Sequence, residues 1–158
     1  MNGEYAWLLG YWIGWCMLHS GLAGTALARV LERRCGRYYR LLYNVFSALT
    51  LWPLWLFTQS MRGEYIWVWS GWMRGGQIAL LLAAGVLFAL AARRYDIKIF
   101  LGLAPTERGI ATAGLDMTGV LAFVRHPWYL ATLLLVWARD LTWVDLIVNG
   151  VIVGYLWG

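Results

Sequence analysis

Apolar residues in this chain come in long unbroken runs, separated by short segments that hold nearly all of its charge. The runs cover about Ala6 to Ala28, Leu41 to Gln59, Gly76 to Ala92, Pro127 to Ala138, and Trp143 to the last residue, Gly158. A helix needs ~20 apolar residues to cross the hydrocarbon core of a bilayer. Three runs meet that length or come close to it. The fourth is short and calls for tilt or snorkelling ends. None shows the period-two alternation of an outer-membrane strand. The pattern therefore predicts an all-α polytopic membrane protein, a single transmembrane domain of about five helices. Segment 93–126 is its long cytoplasmic connection.

Composition agrees with the pattern. Hydrophobic residues make up 61% of the 158 positions, charged residues 13%, and twelve Trp and nine Tyr are present. A soluble domain of this size cannot hide so much apolar surface, and amphipathic aromatics collect at membrane interfaces. The net charge of +5 does not point to nucleic acid, because the arginines flank apolar runs instead of lining one soluble face. Cys16 lies in the first run and Cys35 in a basic segment, so neither a disulfide nor a metal site is expected. Residues Met1 to Tyr5 contain Glu4 and no Lys or Arg, the wrong flank for a cleavable signal peptide.

Charge also sets the expected orientation. Arg29, Arg33, Arg34, Arg37 and Arg40 follow the first run; Arg93, Arg94, Lys98, Arg108 and Arg125 lie between the third and fourth. The opposite side holds only Arg62, Arg74 and Arg139. Ten against three places the first two groups in the cytoplasm, with the N-terminus outside and the C-terminus inside. Tyr5, Trp7, Trp67, Trp69, Trp72 and Trp143 would mark the outer interface; Tyr38, Tyr39, Tyr95, Trp128 and Trp157 would mark the inner one. A bacterial inner membrane is the expected location.

Segment 93–126 opens on Arg93-Arg94-Tyr95-Asp96, with Phe100 and Leu101 close behind, a mixture suited to a helix lying among headgroups. Pro105, Gly109, Gly114 and Gly119 then punctuate a loop. Function is expected in a long connection of this kind.

At the end of that segment, Thr118-Gly119 is followed by Arg125-His126-Pro127-Trp128-Tyr129. Pro127 suits the first position of a helix, which puts His126 at the cap. A helix N-terminus attracts anions, and the guanidinium of Arg125 matches a carboxylate. The chemistry alone thus describes an anion site at the membrane surface. It equally describes basic and aromatic residues that only anchor a helix among headgroups.

Arg-His-Pro-x-Tyr preceded by Thr-Gly resembles the signature of the isoprenylcysteine carboxyl methyltransferase and phospholipid methyltransferase superfamily of membrane enzymes. Leu18-His19-Ser20, Tyr39-Arg40-Leu41-Leu42-Tyr43-Asn44, Tyr95-Asp96 and Phe100-Leu101-Gly102-Leu103 extend the resemblance over most of the chain. The likeness is greatest to the bacterial branch with methanethiol S-methyltransferases and NnrU-type proteins. It implies S-adenosylmethionine as methyl donor, bound on the cytoplasmic side. Arg125, His126, Pro127 and Tyr129 would build its pocket, under a loop carrying Thr118 and Gly119. Our physical assignment gives the donor's carboxylate to Arg125 and the helix N-terminus. Family members usually continue past the last span with a Glu-containing cytoplasmic segment that completes the pocket. This sequence stops at Tyr155-Leu156-Trp157-Gly158, so it is expected to be truncated there.

Further polar residues fall inside the runs. His19 and Ser20 sit in the inner half of the first, Asn44 and Ser47 just inside the second. Intramembrane polar groups are costly and face the interior of a bundle. His19, Tyr43 and Asn44 are therefore candidates to line the acceptor cavity, and interhelical hydrogen bonding is the plainer alternative. His19 is the one intramembrane group suited to deprotonate an acceptor near neutral pH. With Arg125 it forms the expected catalytic set. The acceptor would be lipophilic, or a small thiol or carboxylate. No Ser or Cys has a convincing His and carboxylate partner for a triad, and His126 at a helix start is ill placed for haem. Two rivals stand beside the methyltransferase. One is a non-catalytic NnrU-type subunit or assembly factor; the other is a nicotinamide-dependent reductase, for which no Gly-rich dinucleotide loop is present.

Overall fold

In the computed structural model, residues 2–24, 26–94, 98, 101, 103 and 126–157 are described, and they are mostly helical. Contacts gather them into two compact units, residues 1–61 with 96–112, and residues 62–95 with 113–158.

The first unit contains α1 (Asn2–Gly24), α2 (Ala26–Cys35) and α3 (Tyr39–Ser60). The first apolar run predicts a helix over 6–28. Instead α1 starts at Asn2 and ends at Gly24, and residues 26–28 belong to α2. Ala, Leu, Arg and Glu dominate Ala26–Arg34, and all four favour helix. Gly36, at φ +56°, then occupies the left-handed conformation that commonly closes a helix, and a single 3-10 turn over Gly36–Tyr38 leads into α3.

Helices α1 and α3 run antiparallel. Tyr11 packs on Phe57, Trp12 bonds Thr58, Trp15 bonds Thr50 and His19 meets Tyr43, so positions fall along α3 as they rise along α1. Leu8, Trp12 and Cys16, one turn apart on α1, are buried, as are Leu54 and Thr58 on α3. The Trp12 indole N–H donates to Thr58 Oγ1 at 3.0 Å, and that hydroxyl donates to the Leu54 carbonyl at 2.8 Å. Pro53 sits within α3 and removes one helical donor; such breaks are tolerated where neighbouring groups supply other bonds.

The second unit contains β1 (Tyr65–Trp67), α4 (Met73–Arg94), α5 (Pro127–Trp137), β2 (Leu141–Thr142) and α6 (Trp143–Trp157). Gln77 near the start of α4 bonds the Ala138 carbonyl, and Phe88 further along packs against Trp128, so α4 and α5 are antiparallel. Small residues are prominent in their seam: Ala84 and Ala91 of α4 and Ala131 of α5 are buried, together with Leu87 of α4. Missing side-chain bulk lets two backbones approach, as apolar helices do where lipid gives no hydrophobic drive to associate. The two short strands pair antiparallel, Tyr65 opposite Thr142 and Trp67 opposite Leu141, with an irregularity between.

Helix α3 (Tyr39–Ser60) and residues Met73–Arg93 of α4 are long and apolar enough to cross a membrane. Only 6% and 17% of their most apolar windows are buried, whereas the core helix of a soluble protein is mostly buried. At 23 residues α1 has the length, but Glu4, His19, Ser20 and several glycines dilute its hydropathy. Helices α5 and α6 are apolar and shorter.

Candidate functional site

The expected site residues divide between the two units. In the first, His19 is held on three sides. The Trp15 ring, one turn earlier on α1, stacks on the imidazole at 4.8 Å between centroids and 17° between planes. From α3, the Tyr43 hydroxyl lies 2.7 Å from Nε2 and 3.1 Å from Nδ1. The Ser47 hydroxyl lies 3.1 Å from Nδ1. Spacing dictates this arrangement. Residues 15 and 19 lie four apart on one helix face, as do 43 and 47 on the facing one. His19, Tyr43 and Ser47 are half-buried, and so is Asn44 beside them on α3.

Two apolar grooves adjoin the partners of His19, though neither is lined by His19 or Ser47 themselves. One of about 350 Å³ is lined by Leu18, Leu22, Leu31, Cys35, Tyr43 and Phe46, among others. Another of about 440 Å³ is lined by Gly10, Gly14, Trp15, Thr50, Pro53 and Phe57, among others. Trp15 and Tyr43 thus each border a groove and touch the imidazole. The imidazole meets two hydroxyls, each able to donate to it or accept from it. That chemistry suits proton transfer to or from a molecule lying in an apolar groove.

In the second unit, Pro127 is the first residue of α5 and is buried, with His126 at the cap, as the sequence predicts. The His126 side chain makes no capping bond. Its ring stacks on Tyr129 at 5.0 Å and 18°, and both rings are exposed. The His126 carbonyl accepts from the N–H groups of Tyr129 (3.0 Å) and Leu130 (3.1 Å). Proline has no N–H to add, so this helix start offers an anion fewer donors than an ordinary one. Thr118, Gly119 and Arg125 lie outside the described residues, as does most of segment 95–125.

A second polar cluster was not among the sequence-derived candidates. Asp145, in the first turn of α6, is 1% exposed. Its Oδ2 accepts from Arg62 Nε (3.1 Å) and Nη2 (2.9 Å), from the Thr142 N–H (2.9 Å) and from the Thr142 hydroxyl (2.8 Å). Its Oδ1 accepts from Arg139 Nη2 at 3.3 Å. Asp140 receives the Trp69 backbone N–H at 2.9 Å. One signal was available: an acidic residue inside an otherwise apolar run needs a partner. Asn149, one turn later, is fully buried and donates to the Val136 carbonyl at 3.2 Å. With its acceptors so fully used, Asp145 reads as a lock joining the segment before β1, the end of β2 and α6. It is not an open site. Among the described residues, no group of three His, Cys, Asp or Glu is placed to hold a metal ion.

Comparison with family models, curated proteins and solved structures finds no match to this chain.

Proposed function

We propose that the chain is an integral membrane protein with five spans, its N-terminus outside, that transfers a methyl group to a lipophilic or small thiol or carboxylate acceptor at the cytoplasmic face. The bacterial inner membrane is its proposed location. The observation that carries this reading is the His19–Tyr43–Ser47 cluster between α1 and α3, whose Tyr43 borders one apolar groove while Trp15, stacked on His19, borders another. Charge asymmetry and the largely unburied faces of α3 and α4 support the membrane placement.

Within this reading an acceptor lies in a groove of the first unit with its reactive atom toward His19. Its apolar body displaces water, which keeps a nucleophile reactive and the reaction free of hydrolysis. The imidazole takes the proton that a thiol or amine must lose, and Tyr43 holds the ring in place. A carboxylate acceptor needs no such base. S-adenosylmethionine, when bound, supplies an electrophilic methyl group. Thr118, Gly119, Arg125, His126, Pro127 and Tyr129 would hold it. The described part of this set fits in one respect, because the exposed, parallel rings of His126 and Tyr129 give an aromatic base a flat surface to stack on.

The test is transfer of radiolabelled methyl from S-adenosylmethionine into solvent-extractable product by membranes containing the chain, offered methanethiol or an isoprenylated cysteine. Label in product that falls about 100-fold in His19→Ala supports the reading with a thiol acceptor. No label with either acceptor turns the reading toward a non-catalytic membrane subunit or assembly factor.

A further inference from the structure

Helix α2 interrupts a stretch that the sequence alone presents as a basic loop, and its two faces differ in kind. At about 100° per residue, Val30, Leu27, Leu31, Cys35 and Ala28 form one continuous arc, while Glu32, Arg29 and Arg33 form the other. Arg34 falls within the apolar arc, between Val30 and Leu27. Leu27 and Val30 are about half exposed, at 54% and 50%, although they belong to the apolar arc. Arg29, Arg33 and Arg34 are exposed, and none has an ion-pair partner among the described residues. A helix with exposed leucine and valine beside arginines in the same ten residues is built for a surface that is apolar below and anionic above.

The groove described above continues this arrangement inward. Leu31 and Cys35 of α2 form part of its wall, with Leu18 and Leu22 of α1 and Leu42 and Phe46 of α3. Its lining is almost entirely hydrocarbon. Arg34 is three residues from Leu31, which lines this groove, and is its near neighbour around the helix.

We propose that α2 is a docking element for anionic phospholipid: one acyl chain lies in the Leu22–Leu31–Phe46 groove, Arg34 meets its phosphate, and Arg29 and Arg33 on the opposite arc add to the positive field that favours a headgroup of net negative charge. Charge complementarity selects the occupant. Three arginines against Glu32 leave α2 at +2, and Arg37 and Arg40 follow directly. A zwitterionic headgroup gives these guanidinium groups no net charge to neutralise. The inference rests on the membrane placement of α1 and α3 and is independent of any methyl-transfer chemistry.

The experiment is native mass spectrometry of the full chain in mild detergent, offered equal amounts of phosphatidylglycerol and phosphatidylcholine with matched acyl chains. The expected result is roughly ten-fold greater retention of phosphatidylglycerol. The triple variant Arg29→Gln/Arg33→Gln/Arg34→Gln should lose that preference, while its helical circular dichroism and unfolding midpoint stay those of the parent. Leu22→Trp, which fills the groove, should reduce retention of both lipids and keep their ratio. Equal retention by the parent, or an undiminished preference in the triple variant, overturns the headgroup assignment. Unchanged retention in Leu22→Trp overturns the acyl-chain assignment. Selective binding of a polyglutamate peptide by a chain indifferent to phosphatidylglycerol assigns α2 to an acidic protein partner instead.

Discussion

Arg62 and Asp145, 83 positions apart, meet through both Nε and Nη2 of the guanidinium on a single carboxylate oxygen, at 3.1 and 2.9 Å. The contact ties the segment before β1 to the first turn of α6, and Thr142 closes the same oxygen from the other side. The side chain of Asp145 is 2% exposed and that of Arg62 is 23% exposed. Removing the carboxylate therefore leaves the Arg62 cation without its closest counter-charge, with the Asp140 carbonyl at 3.3 Å and only partial access to water.

Asp145→Asn is expected to lower stability by about 2–3 kcal/mol, below the range for a fully buried pair because Arg62 keeps some solvation. Arg139→Gln should cost less than about 1 kcal/mol, since the Arg139 side chain is 39% exposed and its bond is longer, at 3.3 Å. Thermal unfolding of the detergent-solubilised chain checks the order of the two. Equal losses would mean that Arg62 is not the principal partner.

Trp12→Phe removes the indole N–H that reaches Thr58 while keeping an aromatic ring in the core. The loss should be about 0.6 kcal/mol, the average for one interhelical hydrogen bond in a membrane protein, plus the packing lost with the smaller ring. Thr58→Val should lose a similar amount, and the double variant less than the sum of the two. An additive double-mutant cycle would show that the bond contributes nothing.

Tyr43→Phe and His19→Ala separate positioning from chemistry. Tyr43→Phe keeps the ring beside His19 and removes the hydroxyl, so methyl transfer to a thiol should fall roughly ten-fold. His19→Ala removes the base and should cost about 100-fold. The pH profile distinguishes a structural role: the limb governed by His19 should shift in Tyr43→Phe and vanish in His19→Ala. Profiles that scale in height without changing shape would make His19 an interhelical tie only.

Orientation is checked by cysteine labelling in whole cells with a membrane-impermeant maleimide. Ser70→Cys, in the segment between α3 and α4, should react from outside. Cys35, at the end of α2, should react only after permeabilisation. The reverse pattern would invert the topology and place the arginine-rich segments outside.

Long apolar runs made α3, α4, α5 and α6 legible in the sequence to within a few residues, because a hydrophobic stretch of that length has few alternatives to a helix. Pro127 marked the start of α5 for a local reason, its fixed φ and missing N–H. Helix α2 was hidden because its five charged or cysteine positions read as loop, and its amphipathic period is visible only once helix is assumed. The Asp145 lock was hidden for a different reason. Its partners lie in separate elements, and Arg62 and Arg139 enter a charge count as two outer positives without revealing where they point. At the His19 cluster, the identity of the polar residues was legible and their meeting was not. Register between α1 and α3 brings Tyr43 and Ser47 onto the imidazole.

Calorimetric titration of the detergent-solubilised chain with S-adenosylmethionine tests the central claim most directly, with Arg125→Ala and NADPH as controls. The account predicts saturable binding of S-adenosylmethionine by the parent, its loss in Arg125→Ala, and no heat from NADPH. Saturable binding of NADPH in place of S-adenosylmethionine, or of neither, would contradict it.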